Sequence, residues 1–521
     1  MHLTNFASWG LALLVAALAS PWLLASATVP DAVFAHQALA VAAWGAWLIA
    51  YRPVSGTGWR GLATPDRAAP VAWALALAGG ASVLVALIQY FAPALADGVL
   101  VAATTSPGRA VGNMRQPNHL ATLLLCAMVW TAWLWQAGRL PPRLAGAAVV
   151  AMVLALVLSA SRTGALSLAV LLLWAWADRS LPRAARWTLA ATPLVYALAW
   201  AALAAWAALD HGSFYAAERL QAGGDMSSSR FAIWRNALAL LAQQPWAGVG
   251  WGHFNAAWTF TPFPDRPVAF FDHTHNLPLQ LAVELGLPAA LALLGLGAWA
   301  LWRARGAWQA VQREPAHPAR AALAMLAVLG VHSLLEYPLW YAYFLLPAAW
   351  AFGVLVGGAA PAVAPAEAAS ARRGWPLRLA GALMIAGAAY AAWDHRRVEV
   401  IFAPPAGAGP LAERIAEGRK SRLFGHHADY AAVTTEPRDQ RLESFARPLR
   451  RLVDTRLLVA YIEALRANGR EAEALYAAQR LREFRRPDAQ AWFKDCTPDN
   501  PAPPFQCNTR AVALTWRDVL P

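Results

Sequence analysis

Residues 116–135 read QPNHLATLLLCAMVWTAWLW. From Leu120 to Trp135 the run is uncharged and predominantly apolar. A segment that crosses a bilayer needs this composition over about 20 residues. On either side, comparable windows lie near Trp9–Ala25, Val33–Tyr51, Ala68–Phe91, Leu144–Ser159, Leu166–Ala177, Thr188–Leu209, Leu277–Trp302, Ala321–Leu335, Trp340–Val356 and Leu379–Trp393. Together they make about eleven candidate spans. The expected fold class is all-α: a polytopic integral membrane protein with about 11 transmembrane helices, a long extracytoplasmic loop and a small helical extracytoplasmic C-terminal domain.

Composition agrees. Of 521 residues, 58% are hydrophobic and 14% charged, against roughly a quarter charged in a soluble protein. The net charge of +13 does not imply nucleic acid, because the basic residues fall in short clusters between apolar runs rather than on one face. Lys420 and Lys494 are the only lysines, so nearly all the positive charge is arginine. Three cysteines are too few for a disulfide framework.

Arginine also sets orientation. Arg52, Arg60 and Arg67 form one loop cluster, and Arg139 with Arg143 a second. Arg179, Arg183 and Arg186 form a third, Arg303, Arg305, Arg313 and Arg320 a fourth, and Arg372, Arg373 and Arg378 the last. With about eleven spans and a cytoplasmic N-terminus, every cluster falls on one side, which the positive-inside rule makes the cytoplasm. The tail from Asp394 then lies outside, where an oxidising compartment would permit Cys496 and Cys507 to bridge. Cys126 falls within a span and reads as a packing residue. Ala25-Ser26-Ala27 resembles a signal cleavage site, but the residues ahead of the first window lack the Lys and Arg of a signal.

The chain is read as N-terminal spans over 1–209, a loop with an amphipathic helix over 210–276, C-terminal spans over 277–393 and a helical tail over 394–521. Loops of this length are commonly functional or disordered. Here Ser227-Ser228-Ser229 offers N-caps. Arg230–Leu241 then mixes Phe231, Ile233, Trp234, Leu238 and Leu241 with polar positions, as a helix lying on a membrane surface does. In the tail, Leu457–Ala467 and Glu471–Phe484 resemble one tetratricopeptide-type hairpin; a small helical domain closed by a Cys496–Cys507 bridge fits equally. Ala359–Ala371 is a Pro/Ala linker.

Several polar residues stand out against this frame. Arg109, Arg115, Arg162, Arg219, Arg230, Arg235 and Arg266 lie on the outer face, against the insertion bias. Snorkelling accounts for any one of them. Several together suggest an anion site, because guanidinium is permanently charged and grips phosphate oxygens in a fork. His275 and Asn276 sit where the long loop meets the eighth span. An imidazole exchanges protons at neutral pH, and a helix start fixes its direction; a polar residue without chemistry is the plain alternative. Asp272-His273-Thr274-His275 also reads as a chelate, but without the spaced Cys or Glu partners of zinc motifs. No metal or cofactor is expected. His332 and Glu336 share a helix face and either pair with one another or point into the cavity of His275. Glu284, deeper in the eighth span and on the face opposite His275, reads as a packing or conformational residue. Gly248-x-Gly250-x-Gly252 follows no strand and so is no dinucleotide fingerprint; it reads as a tight turn that brings backbone close to something.

In order, Arg230-x-x-x-Trp234, Pro245-Trp246-x-Gly248-x-Gly250-x-Gly252-x-Phe254 and His275-Asn276 resemble the periplasmic loop of the O-antigen ligase and polymerase superfamily. The ligases' spacing of His-Asn, nine residues and Gly is met by Gly286, although the last motif position is Ala289. Gln116-Pro117-Asn118-His119-Leu120-Ala121, the Ser161-Arg162-Thr163-Gly164 turn and the helical tail resemble PglL-type bacterial protein O-oligosaccharyltransferases. The resemblance implies metal-independent transfer of a glycan from undecaprenyl pyrophosphate to Ser or Thr of a pilin-like acceptor. The place implied is the bacterial inner membrane, with active site and tail periplasmic. The resemblance makes His275 the essential loop histidine and Arg162 and Arg230, with Arg115, the pyrophosphate-binding arginines. Gln116, Asn118, Asn276, His332 and Glu336 are expected to support the substrate site. The expected partners are the lipid-linked oligosaccharide, the acceptor protein and membrane lipid, with no nucleic acid. An O-antigen ligase acting on lipid A core and a polysaccharide polymerase are the nearest alternatives. A lipid-linked glycan transporter is the non-enzyme alternative, but the sequence lacks the internal repeats such a protein should show.

Overall fold

The computed structural model describes residues 2–51, 63–104, 106–209, 213–221, 226–310, 316–359 and 374–521. Arg52, Arg60, Arg313, Arg372, Arg373 and most of the Pro/Ala linker lie outside them, as does the side chain of Arg219. Among the described residues every regular element is helical, and each apolar window of the sequence falls on a helix. Pro65–Phe91, Pro117–Gln136 and Leu277–Arg305 are long and apolar enough to cross a membrane. Arg183–Ala190 and Thr192–Ala208, bent by 41° at their junction, add a fourth if taken as one span. Trp9–Leu23, Phe34–Ala50, Pro142–Leu158, Arg162–Ala177, Ala319–Ser333 and Ala342–Gly357 are shorter apolar helices. Seventeen residues, as in Phe34–Ala50, make a helix of about 26 Å, just under the ~30 Å of hydrocarbon.

The chain divides into two compact units. The first comprises 1–224 and 297–390, the second 225–296 and 391–521.

Pro117–Gln136 runs through the core of the first unit. Trp130 and Trp133 are fully enclosed, and the Trp130 indole donates to Met325 Sδ at 3.1 Å. Gln116 Oε1 accepts from the backbone N–H groups of Asn118 and His119, at 2.5 and 2.9 Å. It caps a helix whose first residue, Pro117, has no N–H to satisfy. Arg320, one of the arginines assigned above to the cytoplasmic face, is almost fully buried against Asp178 at 2.5 Å. Taking a charge out of water is costly, and this partner offsets it.

In the second unit the long loop and the tail share one hydrophobic core. Ile233, Ala237 and Leu240 of Met226–Gln243 and Phe254, Trp258 and Phe260 of Phe254–Phe260 pack with Tyr461, Leu465, Tyr476 and Leu481 of the tail. The helix expected to lie on a membrane thus spends Ile233 and Leu241 on a protein core; Phe231 and Leu238 remain exposed. Tyr476 donates its hydroxyl to Phe260 O at 2.7 Å.

Arg266 corrects the reading of the outer arginines as one anion cluster. Its side chain is fully buried and bonds Glu483 at 3.1 Å. It also donates to Trp258 O at 2.5 Å and to Thr261 O, so its donors serve the fold. Burial pushes its pKa down to about 10, with Glu483 acting in the opposite sense, and it stays protonated at neutral pH. The tail hairpin is built from Thr455–Ala467 and Glu471–Glu483, and Cys496 is disulfide-bonded to Cys507.

Candidate functional site

The three motifs that stand out in sequence share one local build. Among the described non-glycine residues only Arg115, Ala160, His275 and Arg485 have φ in the left-handed region, at 56°, 50°, 54° and 49°. The first three each precede a residue whose side chain caps a helix. Gln116 caps Pro117–Gln136. Ser161 Oγ accepts from Gly164 N at 3.0 Å at the start of Arg162–Ala177. Asn276 Oδ1 accepts from Leu279 N at 3.0 Å at the start of Leu277–Ala310. A left-handed non-glycine residue costs on the order of 1–3 kcal/mol and persists where its surroundings over-determine it. The chain reverses sharply at each point and delivers Arg115, Arg162 or His275 at a helix start.

In the first unit these turns are wired together. Gln89 Oε1 accepts from Val111 N and Gly112 N, both at 2.9 Å, and pins the segment ahead of Arg115. Arg115 Nη2 donates to Ala25 O at 2.8 Å. Ser161 donates its hydroxyl to Asn118 Oδ1 at 2.7 Å, and Asn118 Nδ2 donates to Glu336 Oε1 at 3.1 Å. His332 Nδ1 lies 2.7 Å from Thr122 Oγ1. His332 and Glu336 are both buried; their bonds to Thr122 and Asn118 tie Ala319–Ser333 and the turn after it to Pro117–Gln136. The structure thus brings together Gln116, Asn118, His332 and Glu336, with Ser161, next to Arg162, as a member that the sequence reading had only as part of a turn. Arg162 is exposed at the first position of its helix. The helix dipole there is positive, a costly place for a cation and a favourable one for an anion.

In the second unit Trp234 Nε1 donates to Thr274 O at 3.0 Å. Arg230 lies one turn before Trp234 on the same face of Met226–Gln243. Gln280 Oε1 accepts from Thr274 N at 2.8 Å, and Thr274 Oγ1 donates to Asn276 O at 2.8 Å. The backbone on both sides of His275 is therefore fixed by side chains. His273 Nδ1 lies 2.5 Å from Asp272 Oδ1, and His273 Nε2 lies 3.0 Å from His275 Nδ1. The ring of Phe271 stands edge-on to His275 at 5.5 Å. The sequence reading missed Trp234 as a tether and His273 as a neighbour of His275. The His-x-His spacing was the available signal for the second.

The glycine turn has a partner too. Gly286 breaks the helix at φ 78°, ψ 163°. A break frees backbone groups that must be paired when buried. Val249 N donates to Val283 O at 2.8 Å, Gly250 N to Glu284 O at 3.0 Å and Leu287 N to Pro245 O at 2.8 Å. A Cβ on Gly248 would sit 2.5 Å from Val283 O, and one on Gly286 would strike Trp246 O. Glu284 is buried, and its carboxylate accepts from Gly252 N at 3.0 Å and Phe254 N at 3.3 Å. Glu284, expected to be a packing or conformational residue, ties the glycine turn to its own helix through these two bonds.

Comparison with known proteins agrees with these motifs. A family model described as O-antigen ligase matches residues 147–294. One described as the C-terminal part of virulence factor membrane-bound polymerases matches 320–495, and one described as protein glycosylation ligase matches 110–135. A general O-oligosaccharyltransferase of Acinetobacter baylyi is 26% identical over 47% of this chain and 44% of its own length. A ComP-specific O-oligosaccharyltransferase of the same organism is 25% identical over 55% of this chain and 50% of its own length. The matched region thus spans about half the length of these curated relatives. The ligase match takes in the glycine turn, His275-Asn276 and Gly286, and the glycosylation-ligase match takes in Arg115, Gln116 and Asn118. The chain is a multi-pass membrane protein that is similar to the O-antigen ligase superfamily over residues 147–294 and to protein glycosylation ligases of the PglL type over residues 110–135.

Proposed function

We propose that the protein is a glycosyltransferase, an oligosaccharyltransferase that moves a glycan from undecaprenyl pyrophosphate to Ser or Thr of a pilin-like periplasmic protein. The observation that carries this reading is the construction around His275. A histidine in a left-handed conformation, at a helix start and braced by Trp234, Thr274 and Gln280, is what a positioned general base requires. Similarity to the two O-oligosaccharyltransferases supports the reaction class. The disulfide in the tail supports an oxidising, periplasmic location, and the arginine pattern supports an inner-membrane orientation with its active face outward.

The roles follow from chemistry. Arg162 and Arg230, with Arg115, hold the pyrophosphate, whose leaving ability is already high. Their main work is to stabilise charge that develops as the glycosidic bond breaks. His275 takes the proton of the acceptor hydroxyl as its oxygen attacks the anomeric carbon, which inverts. A base of this kind contributes roughly 10²–10⁴-fold. Gln116, Asn118 and Asn276 hold the helix starts in place, and His332 and Glu336 brace the first of them. The reaction proceeds without a metal. A second reading, transfer to another glycan or to lipid A core, is favoured by the ligase and polymerase matches. The test is expression in a host that makes a lipid-linked oligosaccharide and a pilin. Glycan on pilin supports the first reading. Glycan on lipid A, or a longer polysaccharide ladder with unmodified pilin, overturns it in favour of the second.

A further inference from the structure

We propose that the tail carries a site for the phosphate of an anionic membrane-lipid headgroup, in a cavity lined by Arg422, His426, Arg447, Arg450 and Arg451. The site goes beyond the transfer reaction and stands whether or not that reaction is the one proposed. It rests on the sequence reading of Leu379–Trp393 as the last span.

The cavity measures about 320 Å³, and three pieces of the second unit build it. The first is Arg447-Pro448-Leu449-Arg450-Arg451, which turns through the short 3-10 helix Pro448–Arg450. Residues three apart eclipse in such a helix, so Arg447 and Arg450 share a face. Pro448 and Leu449 are buried, and Pro448 O accepts from Arg451 N at 2.9 Å and from Leu452 N at 2.8 Å. The arginines therefore stand on a fixed base. The second piece is the start of the helix Gly425–Thr434. Phe424, just before it, has no side chain that can cap it, and the end carries the positive pole of the helix dipole. A Cβ on Gly425 would strike Arg447 Nη1, so glycine lets that guanidinium lie against the helix start. The third piece is Ser421–Leu423. Ser421 Oγ and Leu423 N donate to Asp394 Oδ2 at 2.7 and 2.9 Å, and Arg422 N donates to Asp394 Oδ1 at 3.4 Å. Asp394 is buried and directly follows the last apolar run. Arg422 is thus fastened to the point where the chain leaves that run.

The charge in this cavity is one-sided. Asp429, one turn into the helix, is already shared by Arg447 Nε at 2.6 Å and Arg419 Nε at 3.1 Å. Among the described residues no carboxylate pairs with Arg422, Arg450 or Arg451. Burial, then Arg451 and Arg447, push His426 down to about 4, so at neutral pH it offers a hydrogen bond and the arginines supply the charge. Like charges held together repel, and an anion between them relieves this. Guanidinium groups fork onto pairs of phosphate oxygens.

The surroundings point to a lipid as the source of that phosphate. Leu379, Leu383, Ile385 and Trp393 are exposed along Trp375–Phe402, an apolar surface suited to lipid. A tryptophan at the end of such a run marks headgroup depth, and Arg397 stacks on Trp393 at 4.3 Å. Leu423 also lines the cavity and is 48% exposed. It offers apolar contact to the glycerol end of a lipid, which a free phosphate cannot use.

The test is native mass spectrometry of the full-length protein in neutral detergent, titrated with phosphatidylglycerol, phosphatidylcholine or inorganic phosphate alone. The variants are Arg450→Glu with Arg451→Glu, Arg422→Gln, and a control of equal charge change, Lys494→Glu with Arg510→Glu, exposed elsewhere in the tail. Arg422→Gln leaves the backbone bonds to Asp394 in place. The tightest phosphatidylglycerol binding should weaken about tenfold or more in the arginine pair, weaken in the same direction in Arg422→Gln, and hold within about twofold in the control. Phosphatidylcholine binding should not respond to any of them. Equal phosphatidylglycerol affinity in wild type and the arginine pair overturns the site, as does an equal loss in the control. Inorganic phosphate binding that the arginine pair abolishes, beside unchanged phosphatidylglycerol binding, overturns the lipid as its ligand.

Discussion

The indole nitrogen of Trp234 donates to the backbone carbonyl of Thr274 at 3.0 Å, so the helix that carries Arg230 grips the segment that carries His275. A typical bond of this kind contributes about 0.5–1.5 kcal/mol net. Trp234→Phe keeps the ring and removes the donor. Its kcat should fall by about tenfold at most, with membrane level and donor KM preserved. Initial rates of transfer at equal protein measure this.

Arg162→Lys and Arg230→Lys keep the charge and lose the planar fork that matches two phosphate oxygens. Each should weaken transfer about tenfold or more, a loss of ~1.4 kcal/mol of binding to the reacting pyrophosphate. Rates measured against donor concentration report it. Unchanged rates in both would remove these arginines from the pyrophosphate.

Arg266 and Arg235 form a matched pair of controls. Arg266 is buried with Glu483, whereas Arg235 meets Asp265 at 3.0 Å with both side chains more than half exposed. Arg266→Ala leaves buried carbonyls and a carboxylate short of a donor and should cost about 3–5 kcal/mol. Arg235→Ala should cost about 0–1 kcal/mol. Thermal unfolding of the detergent-solubilised protein should separate the two clearly.

Gly286 and Gly252 both have positive φ, at 78° and 73°, but only Gly286 has backbone against its missing side chain; around Gly252 the space is open. Gly286→Ala should therefore abolish folding of the loop and with it transfer. Gly252→Asn, a residue that tolerates the left-handed region, should be nearly neutral. Expression and activity compared side by side check this.

The tail carries an acid-sensitive element. Burial, with His426, His395 and Arg451 around it, pushes His427 down to about 3. Burial, with Arg451 and Arg447, pushes His426 down to about 4. The unfolded chain binds these protons near pH 6.5 and the folded chain does not. The stability they contribute is complete above pH 6.5 and is lost progressively as the pH drops from 6.5 to the folded values. The unfolding midpoint should decline from pH 7 to 5, and His427→Phe should flatten that decline.

The helices were legible because an apolar run has few options in lipid, and residues 116–135 alone decide the class. The break at Gly286 was not, since a single glycine inside an apolar run leaves the run apolar; its cause lies some 40 residues earlier, in the turn from Pro245 to Gly252. Arg266 was misread for a similar reason. Its partner Glu483 is 217 residues away, and nothing local marks an arginine as buried. His275 and Asn276 were legible from position and from family spacing. Asp272 and His273 carry only a weak chelate signal in sequence, and the 3.0 Å approach of the His273 and His275 rings is not legible there, because a His-x-His spacing looks the same whether its rings point at an ion or at each other. The fusion of loop and tail into one core was illegible, because the apolar residues of Met226–Gln243 suit a lipid surface and a protein core equally well.

The most direct measurement is glycan transfer by purified wild-type protein and His275→Ala, reconstituted in lipid with undecaprenyl-pyrophosphate-linked oligosaccharide and a pilin acceptor. Glycosylated pilin is expected with the wild type and a loss of about 10²-fold or more in the variant, both folded and equally inserted. Transfer at the wild-type rate by His275→Ala would contradict it.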